Sequence, residues 1–128
     1  MSVLLDTHAL IWWVIGDPRL SRKARAAIED GAEQCFVSAV TAFEIANKVR
    51  IGKLPAVAEI ARNMDRIMRE NSFSPLAVTV EHSLLGGSMD GSHRDLFDRL
   101  LAAQSIVGGM PLVTADQVFR EFGVETIW

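Results

Sequence analysis

Val3-Leu4-Leu5-Asp6-Thr7-His8-Ala9-Leu10-Ile11-Trp12-Trp13 is the stretch that decides the fold. Three apolar residues stop at an acid, and a longer apolar stretch follows. A run this short, bounded by a polar residue, reads as a buried strand. His8 to Ile15 reads as the helix after it, closed by Gly16-Asp17-Pro18. The same alternation recurs downstream. Ser21 caps a helix to about Asp30 and Gly31 stops it; Cys35-Phe36-Val37 is the second strand. Val40 to Ile51 is helical, with Ala42, Ile45, Ala46 and Val49 as its apolar stripe and Gly52 at its end. Pro55 opens one helix from about Ala56 to Glu70, and Leu76-Ala77-Val78 is the third strand. A short helix, the Gly86–Ser92 loop and a long helix from Arg94 to Val107 come next. Leu96, Leu100, Ala103 and Val107 form the stripe of that long helix, and Gly108-Gly109 ends it. Pro111-Leu112-Val113-Thr114, a short helix from Gln117 to Phe122 and a last strand within Val124 to Trp128 complete the chain. Short apolar strands alternating with helices specify an α/β fold, a mostly parallel sheet covered by helices on both faces. Sites in such sheets form at the carboxyl ends of the strands.

Composition is consistent with this. The 128 residues are 49% hydrophobic and 23% charged, with a mean hydropathy of +0.20. One domain spanning 1–128 is expected, and general disorder is excluded. The longest apolar run, Ala9 to Ile15, is seven residues, against about 20 for a bilayer-spanning helix. No basic segment precedes the first apolar stretch, so it does not read as a secretory signal, and a cytoplasmic protein is expected. Cys35 is the single cysteine, which excludes an internal disulfide and a cysteine-based zinc site. Lys plus Arg number 13 and Asp plus Glu 16, a net charge of −3. An overall basic nucleic-acid binder is therefore disfavoured. A local basic patch stays open, as does an acidic site neutralised by bound cations.

The acids fall where such a site would form. Asp6 ends the first strand, Asp116 follows the fourth, and Glu44 lies early in the helix after the second. Asp98 sits in the first turns of the long helix, with Asp95 about one turn earlier. Four or five carboxylates brought together would repel one another without cations, and oxygen-only ligation suits Mg²⁺ or Mn²⁺ better than zinc. Each acid also has a purely structural explanation. Asp6 and Asp116 could cap helices, and Thr114 with Gln117 has capping-box spacing. Glu44 is four residues before Lys48, and Asp95 and Asp98 suit a helix N-terminus.

Other chemistries lack support. No GxGxxG, P-loop or GxSxG motif occurs. Gly86-Gly87-Ser88 and Gly108-Gly109 read as turns, and His8, His82 and His93 have no metal-pair spacing. Trp12 reads as core and Trp13 as partner-facing, with base stacking the alternative. Arg62, Arg66 and Arg69 read as a solvated helix face that could attract phosphates.

At these residues the sequence resembles the PIN-domain proteins, specifically toxin ribonucleases of the VapC type. Leu4-Leu5-Asp6-Thr7-His8-Ala9-Leu10-Ile11-Trp12-Trp13 resembles the family's first acidic motif. Ser38-Ala39-Val40-Thr41-Ala42-Phe43-Glu44-Ile45-Ala46 resembles the second, extended by Lys48 and Gly52-Lys53-Leu54. His93-Arg94-Asp95-Leu96-Phe97-Asp98-Arg99-Leu100-Leu101-Ala102-Ala103-Gln104 resembles the third, and Leu112-Val113-Thr114-Ala115-Asp116 the fourth. Each motif alone is weak; four in order across the chain are specific. Leu96 stands where the family pattern commonly has proline, which leaves the helix start open.

The resemblance implies a three-layer α/β/α PIN fold and an Mg²⁺-dependent endoribonuclease, with Mn²⁺ as a substitute. It implies Asp6 and Asp98 as leading metal ligands, with Glu44 and Asp116 completing the site directly or through water. Asp95 is the secondary candidate for the third acid, and Thr7, Ser38 and Thr41 are candidates to orient the acids. It further implies an RNA substrate, a VapB-type antitoxin and a homodimer within a larger assembly. A metal-dependent phosphatase or phosphoacceptor domain is the alternative class, although no second acid lies near Asp6 and no lysine follows the fourth strand. A non-catalytic PIN-like binding module is the third reading.

Overall fold

The first apolar run is a strand, β1 (Ser2–Leu5), and it occupies the centre of the sheet. A computed structural model describes residues 1–52, 55–91 and 95–128. Lys53, Leu54, Ser92, His93 and Arg94, which the sequence reading placed in a motif extension, a loop and a helix start, lie outside the described residues. Val3, Leu4 and Leu5 are fully buried, as expected of a strand with both faces covered. Their side chains alternate between two cores. Val3 and Leu5 join one with α1 (Thr7–Ile15), α2 (Arg22–Ala26), α4 (Pro55–Arg62) and α5 (Met64–Glu70). Leu4 joins the other with Leu101 and Ala102 of α7 (Leu96–Gly108) and Phe119 of a 3₁₀ helix (Gln117–Phe122). The three layers thus follow from the two-residue period of a strand.

The sheet has five strands in the order β3-β2-β1-β4-β5, all paired in parallel. The others are β2 (Gln34–Ser38), β3 (Ser74–Leu76), β4 (Leu112–Val113) and β5 (Thr126–Ile127). Succession runs outward from β1 in both directions, so connections leave β1 and β4 on opposite faces. The crevice between their carboxyl ends is a topological switch point, where ligands bind in open α/β sheets. Phosphoacceptor domains of the flavodoxin type have the order 2-1-3-4-5, so this order disfavours that alternative.

Most expected elements form, with five corrections, the first being that Gly86-Gly87-Ser88, expected as a turn, are the last residues of a helix over Val80–Ser88. The single helix expected over 56–70 is two helices broken at Asn63, whose side-chain amide donates to the Glu59 carbonyl at 2.8 Å and competes with the backbone there. The third strand lies two residues earlier than expected, because pairing with Phe36–Ser38 fixes it at Ser74–Leu76. On α3 (Ala39–Arg50) the inward residues are Val40, Thr41 and Ile45, whereas Ala42, Ala46 and Val49 are exposed. On α7 the buried run is Leu101 to Ser105; Leu96 and Val107 are exposed. Both helices hide polar groups, so an apolar stripe alone misjudges their inner faces. The remaining helix, α6 (Val80–Ser88), packs on α7, and buried His82 forms a reciprocal cap with Thr79 at its start. Trp12 and Trp13 are both half-buried within the chain: Trp12 packs against Trp128, and Trp13 donates to Asn71 at 3.0 Å.

Candidate active site

Strand register assembles the centre of the site. Leu5 pairs with Val113, so the next residues, Asp6 and Thr114, stand side by side where β1 and β4 end. The ladder continues one step, with the Asp6 amide donating to the Val113 carbonyl at 3.1 Å. Thr114 then donates its hydroxyl to Asp6 Oδ2 across 108 positions of sequence. Asp6 Oδ1 accepts the Ala9 amide at 2.7 Å, capping α1, so a capping role and a site position coincide in one residue.

Asp6 is buried, and among the described residues no lysine or arginine pairs with it. Burial pushes its carboxyl pKa up from 3.8 to about 6. The bonds from Thr114 and Ala9 and the charge of His8 pull it down, while Glu44 pushes it further up. Asp6 is therefore a desolvated acid that lacks a paired cation among the described residues.

Glu44 reaches the same crevice from α3. The Thr7 hydroxyl donates to Glu44 Oε1 at 2.7 Å and lies 3.2 Å from the hydroxyl of Thr41. Glu44 Oε2 is 3.8 Å from Lys48 Nζ, so the expected ion pair forms without removing Glu44 from the site. Thr7 and Thr41 are buried, Thr7 on α1 and Thr41 on α3, with the Thr7 hydroxyl reaching Glu44.

The other acids are placed less tightly. Asp116 is exposed; its Oδ1 caps the 3₁₀ helix by accepting the Val118 amide at 3.0 Å. Its own amide donates to Thr114 Oγ1 at 3.0 Å, which ties it to Asp6 through one threonine. The capping-box pairing of Thr114 with Gln117 gives way to this bridge. Asp98 is half-buried in the first turn of α7, its amide held by Asp95 Oδ1 at 3.0 Å. Asp95 is the exposed N-cap of that helix. Ser38 is buried and caps α3, but its partners are the Val40 amide and Gln104 rather than a carboxylate. Among the described residues, no group of three or more His, Cys, Asp or Glu side chains forms a ready-made metal cage. The donors at the switch point are nevertheless all oxygens, and the buried one has no ion-pair partner among the described residues, which suits a hard cation.

Two residues escaped the sequence reading as site components, Thr114 and Gln104. Thr114 follows the strand it belongs to by one position and could have been found from strand register; the buried amide of Gln104 has no local signal at all.

The family model of the PIN domain matches residues 3–125. The chain belongs to the PIN-domain family. A curated relative, ribonuclease VapC22 of Mycobacterium tuberculosis (strain ATCC 25618 / H37Rv), is 32% identical over 126 residues, covering 93% of this chain and 90% of its own length. Among solved structures, VapBC2 from Rickettsia felis, bound to a DNA fragment from its promoter, matches with a TM-score of 0.73 at 14% identity, over 98% of this chain and 97% of that one. Mycobacterium tuberculosis VapC20, a sarcin-ricin loop cleaving toxin, matches with a TM-score of 0.68 at 16% identity, over 95% of each chain. These two share the five-strand PIN architecture described above. In this PIN domain the acids of the first, second and fourth motifs, Asp6, Glu44 and Asp116, lie within the hydrogen-bond networks of Thr7 and Thr114.

Proposed function

We propose that this PIN-domain chain is a metal-dependent endoribonuclease and the toxin of a toxin–antitoxin pair. The observation that carries the reading is Asp6, a buried carboxylate with no ion-pair partner among the described residues, at the switch point of a PIN sheet. Identity of 32% with a ribonuclease of the VapC type, over most of both chains, supports RNA as the substrate. Asp6 and Asp98 would hold Mg²⁺ or Mn²⁺, with Glu44 and Asp116 joining directly or through water. When bound, such an ion supplies Lewis acidity and lowers the pKa of water.

The chain's own residues prepare this chemistry. Thr114 fixes Asp6 Oδ2 and, through its oxygen, the backbone of Asp116. Thr7 turns Glu44 so that Oε2, the oxygen beside Lys48, remains to position the attacking water and accept its proton. Arg62 pairs with Glu59 and Arg66 with Glu70, so those arginines are matched by their own helix faces rather than held free for phosphate. Target choice therefore rests on shape and contacts around the crevice.

A toxic nuclease must be silenced in its host. The proposed inhibitor is a VapB-type antitoxin whose basic side chain stands opposite the acidic centre, where charge-assisted bonds would be strong. A homodimer and a larger toxin–antitoxin assembly are proposed on the same footing, as is a cytoplasmic location. No helix among the described residues is long and apolar enough to cross a membrane.

The experiment is induction of the chain with and without its neighbouring small reading frame, with RNA ends mapped soon after induction. Growth arrest and discrete new RNA ends that vanish in Asp6→Asn are expected, with co-expression relieving both. A folded wild-type protein that cuts no RNA with Mg²⁺ or Mn²⁺ would overturn the enzyme reading in favour of a binding module.

A further inference from the structure

A buried amide ties the Asp98 helix to the Glu44 helix. Gln104 lies on α7 and is 0% exposed. Its Oε1 accepts the Ser38 hydroxyl at 2.5 Å, and its Nε2 donates to the Ala77 carbonyl at 3.2 Å. Ser38 Oγ in turn accepts the Val40 amide at 3.0 Å, capping α3. The direction of every bond is forced. The Ala77 carbonyl can only accept, so the amide nitrogen faces it and the amide oxygen faces Ser38. The Ser38 hydroxyl, already accepting from Val40, gives its one proton to Gln104. One side chain thus joins α7, the start of α3 and the residue after β3.

We propose that Gln104 is a positioning residue of the candidate active site, fixing how α7 sits against α3 and so the separation of Asp98 from Glu44. This rests on the ribonuclease reading above. Other contacts between the two helices include apolar ones: the Phe43 and Phe97 rings at 5.7 Å, and Val40 in the core that Leu101 shares. Such contacts tolerate sliding, whereas a buried hydrogen-bonded amide has one satisfied geometry. Leverage makes this matter. Asp98 lies six residues before Gln104 and Glu44 six residues after Ser38, so each acid stands about 9 Å along its helix from the bond. A tilt of about 10° at that bond moves each carboxylate by roughly 1.5 Å. Misplacement of about 1 Å can cost on the order of 100-fold in rate.

The test compares wild type, Gln104→Met and Gln104→Glu on RNA with Mg²⁺ across pH, alongside amide exchange at Val40 and Thr41. Gln104→Met preserves length and removes both bonds. It is expected to keep KM within about twofold, to lower kcat at least tenfold and to speed exchange at the start of α3. Gln104→Glu restores both bonds only while its carboxyl is protonated. Its kcat relative to wild type should approach one at low pH and fall as pH rises, a signature that filling volume would not give. Wild-type kcat in folded Gln104→Met, or a Gln104→Glu ratio that stays well below one at every pH, overturns the proposal. If Gln104→Met fails to fold, the Gln104→Glu profile decides. If wild type cuts no RNA, the functional reading falls, and the exchange arm still decides Gln104: unchanged exchange at Val40 and Thr41 overturns its role.

Discussion

Asp6→Asn should make the metal-free protein more stable near neutral pH while abolishing its activity. Folding raises the Asp6 pKa from 3.8 to about 6. The folded state therefore binds a proton more tightly than the unfolded chain, and stability falls as pH rises between those values. A rise of that size corresponds to about 3 kcal/mol of destabilisation, fully developed above pH 6. Asparagine removes the charge, but with its oxygen on the Ala9 amide the –NH₂ that replaces Oδ2 cannot accept the Thr114 proton, which costs about 1 kcal/mol. The net expectation is a gain of about 1–2 kcal/mol at about pH 8, or roughly 5 °C in Tm for a chain this size. Below about pH 4 wild-type Asp6 is neutral when folded, its Oδ2 carries a proton as the asparagine nitrogen does, and the mutant's gain vanishes. Thermal and urea unfolding in EDTA, from about pH 4 to 8, measures the difference between the two proteins, in which the other titrating groups cancel. A difference that stays constant across that range would refute the argument, because Asp6 would then carry no desolvated charge.

Four further outcomes follow from the same geometry. Asp98→Asn should lower cleavage at least tenfold with little change in stability. Asp95→Ala should cost about 1 kcal/mol by uncapping α7 and retain most of the rate; initial rates and melts on matched proteins separate the two roles. Thr114→Val should raise the Asp6 pKa further and destabilise the fold by about 1–3 kcal/mol, since the buried Asp6 carboxylate and the part-buried Asp116 amide lose their partner; the pH dependence of unfolding in EDTA reads the change, and an unaltered profile would contradict it. Mg²⁺ at about 100 times its dissociation constant should stabilise wild type by about 2.7 kcal/mol and Asp6→Asn by much less, as calorimetry with and without EDTA would show.

How much of this was legible in the sequence depends on which side of each helix faces inward. The strands carried their own signal: Val3-Leu4-Leu5 is buried on both faces, so a run without alternation was the right pattern to expect. The fold class and the crevice follow from such runs and from the acids that end them. The helices misled where function placed polar groups inside. Thr41, Glu44 and Lys48 turn α3 inward on the side that an apolar count assigns to solvent, leaving Ala42, Ala46 and Val49 outside. The same happens on α7, where Gln104 and Ser105 are buried and Leu96 is not.

Pairwise partners were the other hidden layer. Nothing near Asp6 in sequence announces Thr114, because their contact arises from a parallel register between β1 and β4, strands far apart in sequence. Asp95 and Asp98 show the converse. Their three-residue spacing suits one capping acid, and sequence alone leaves open which of the two it is. Backbone geometry separates their places: Asp95 has extended dihedrals and caps α7 by accepting the Asp98 amide at one oxygen. Asp98 stands one turn in and half-buried, on the helix whose body packs against α3. With leucine at 96 in place of proline, the start of α7 is set by the Asp95 cap rather than by a fixed φ, and that start places Asp98 one turn inside the helix.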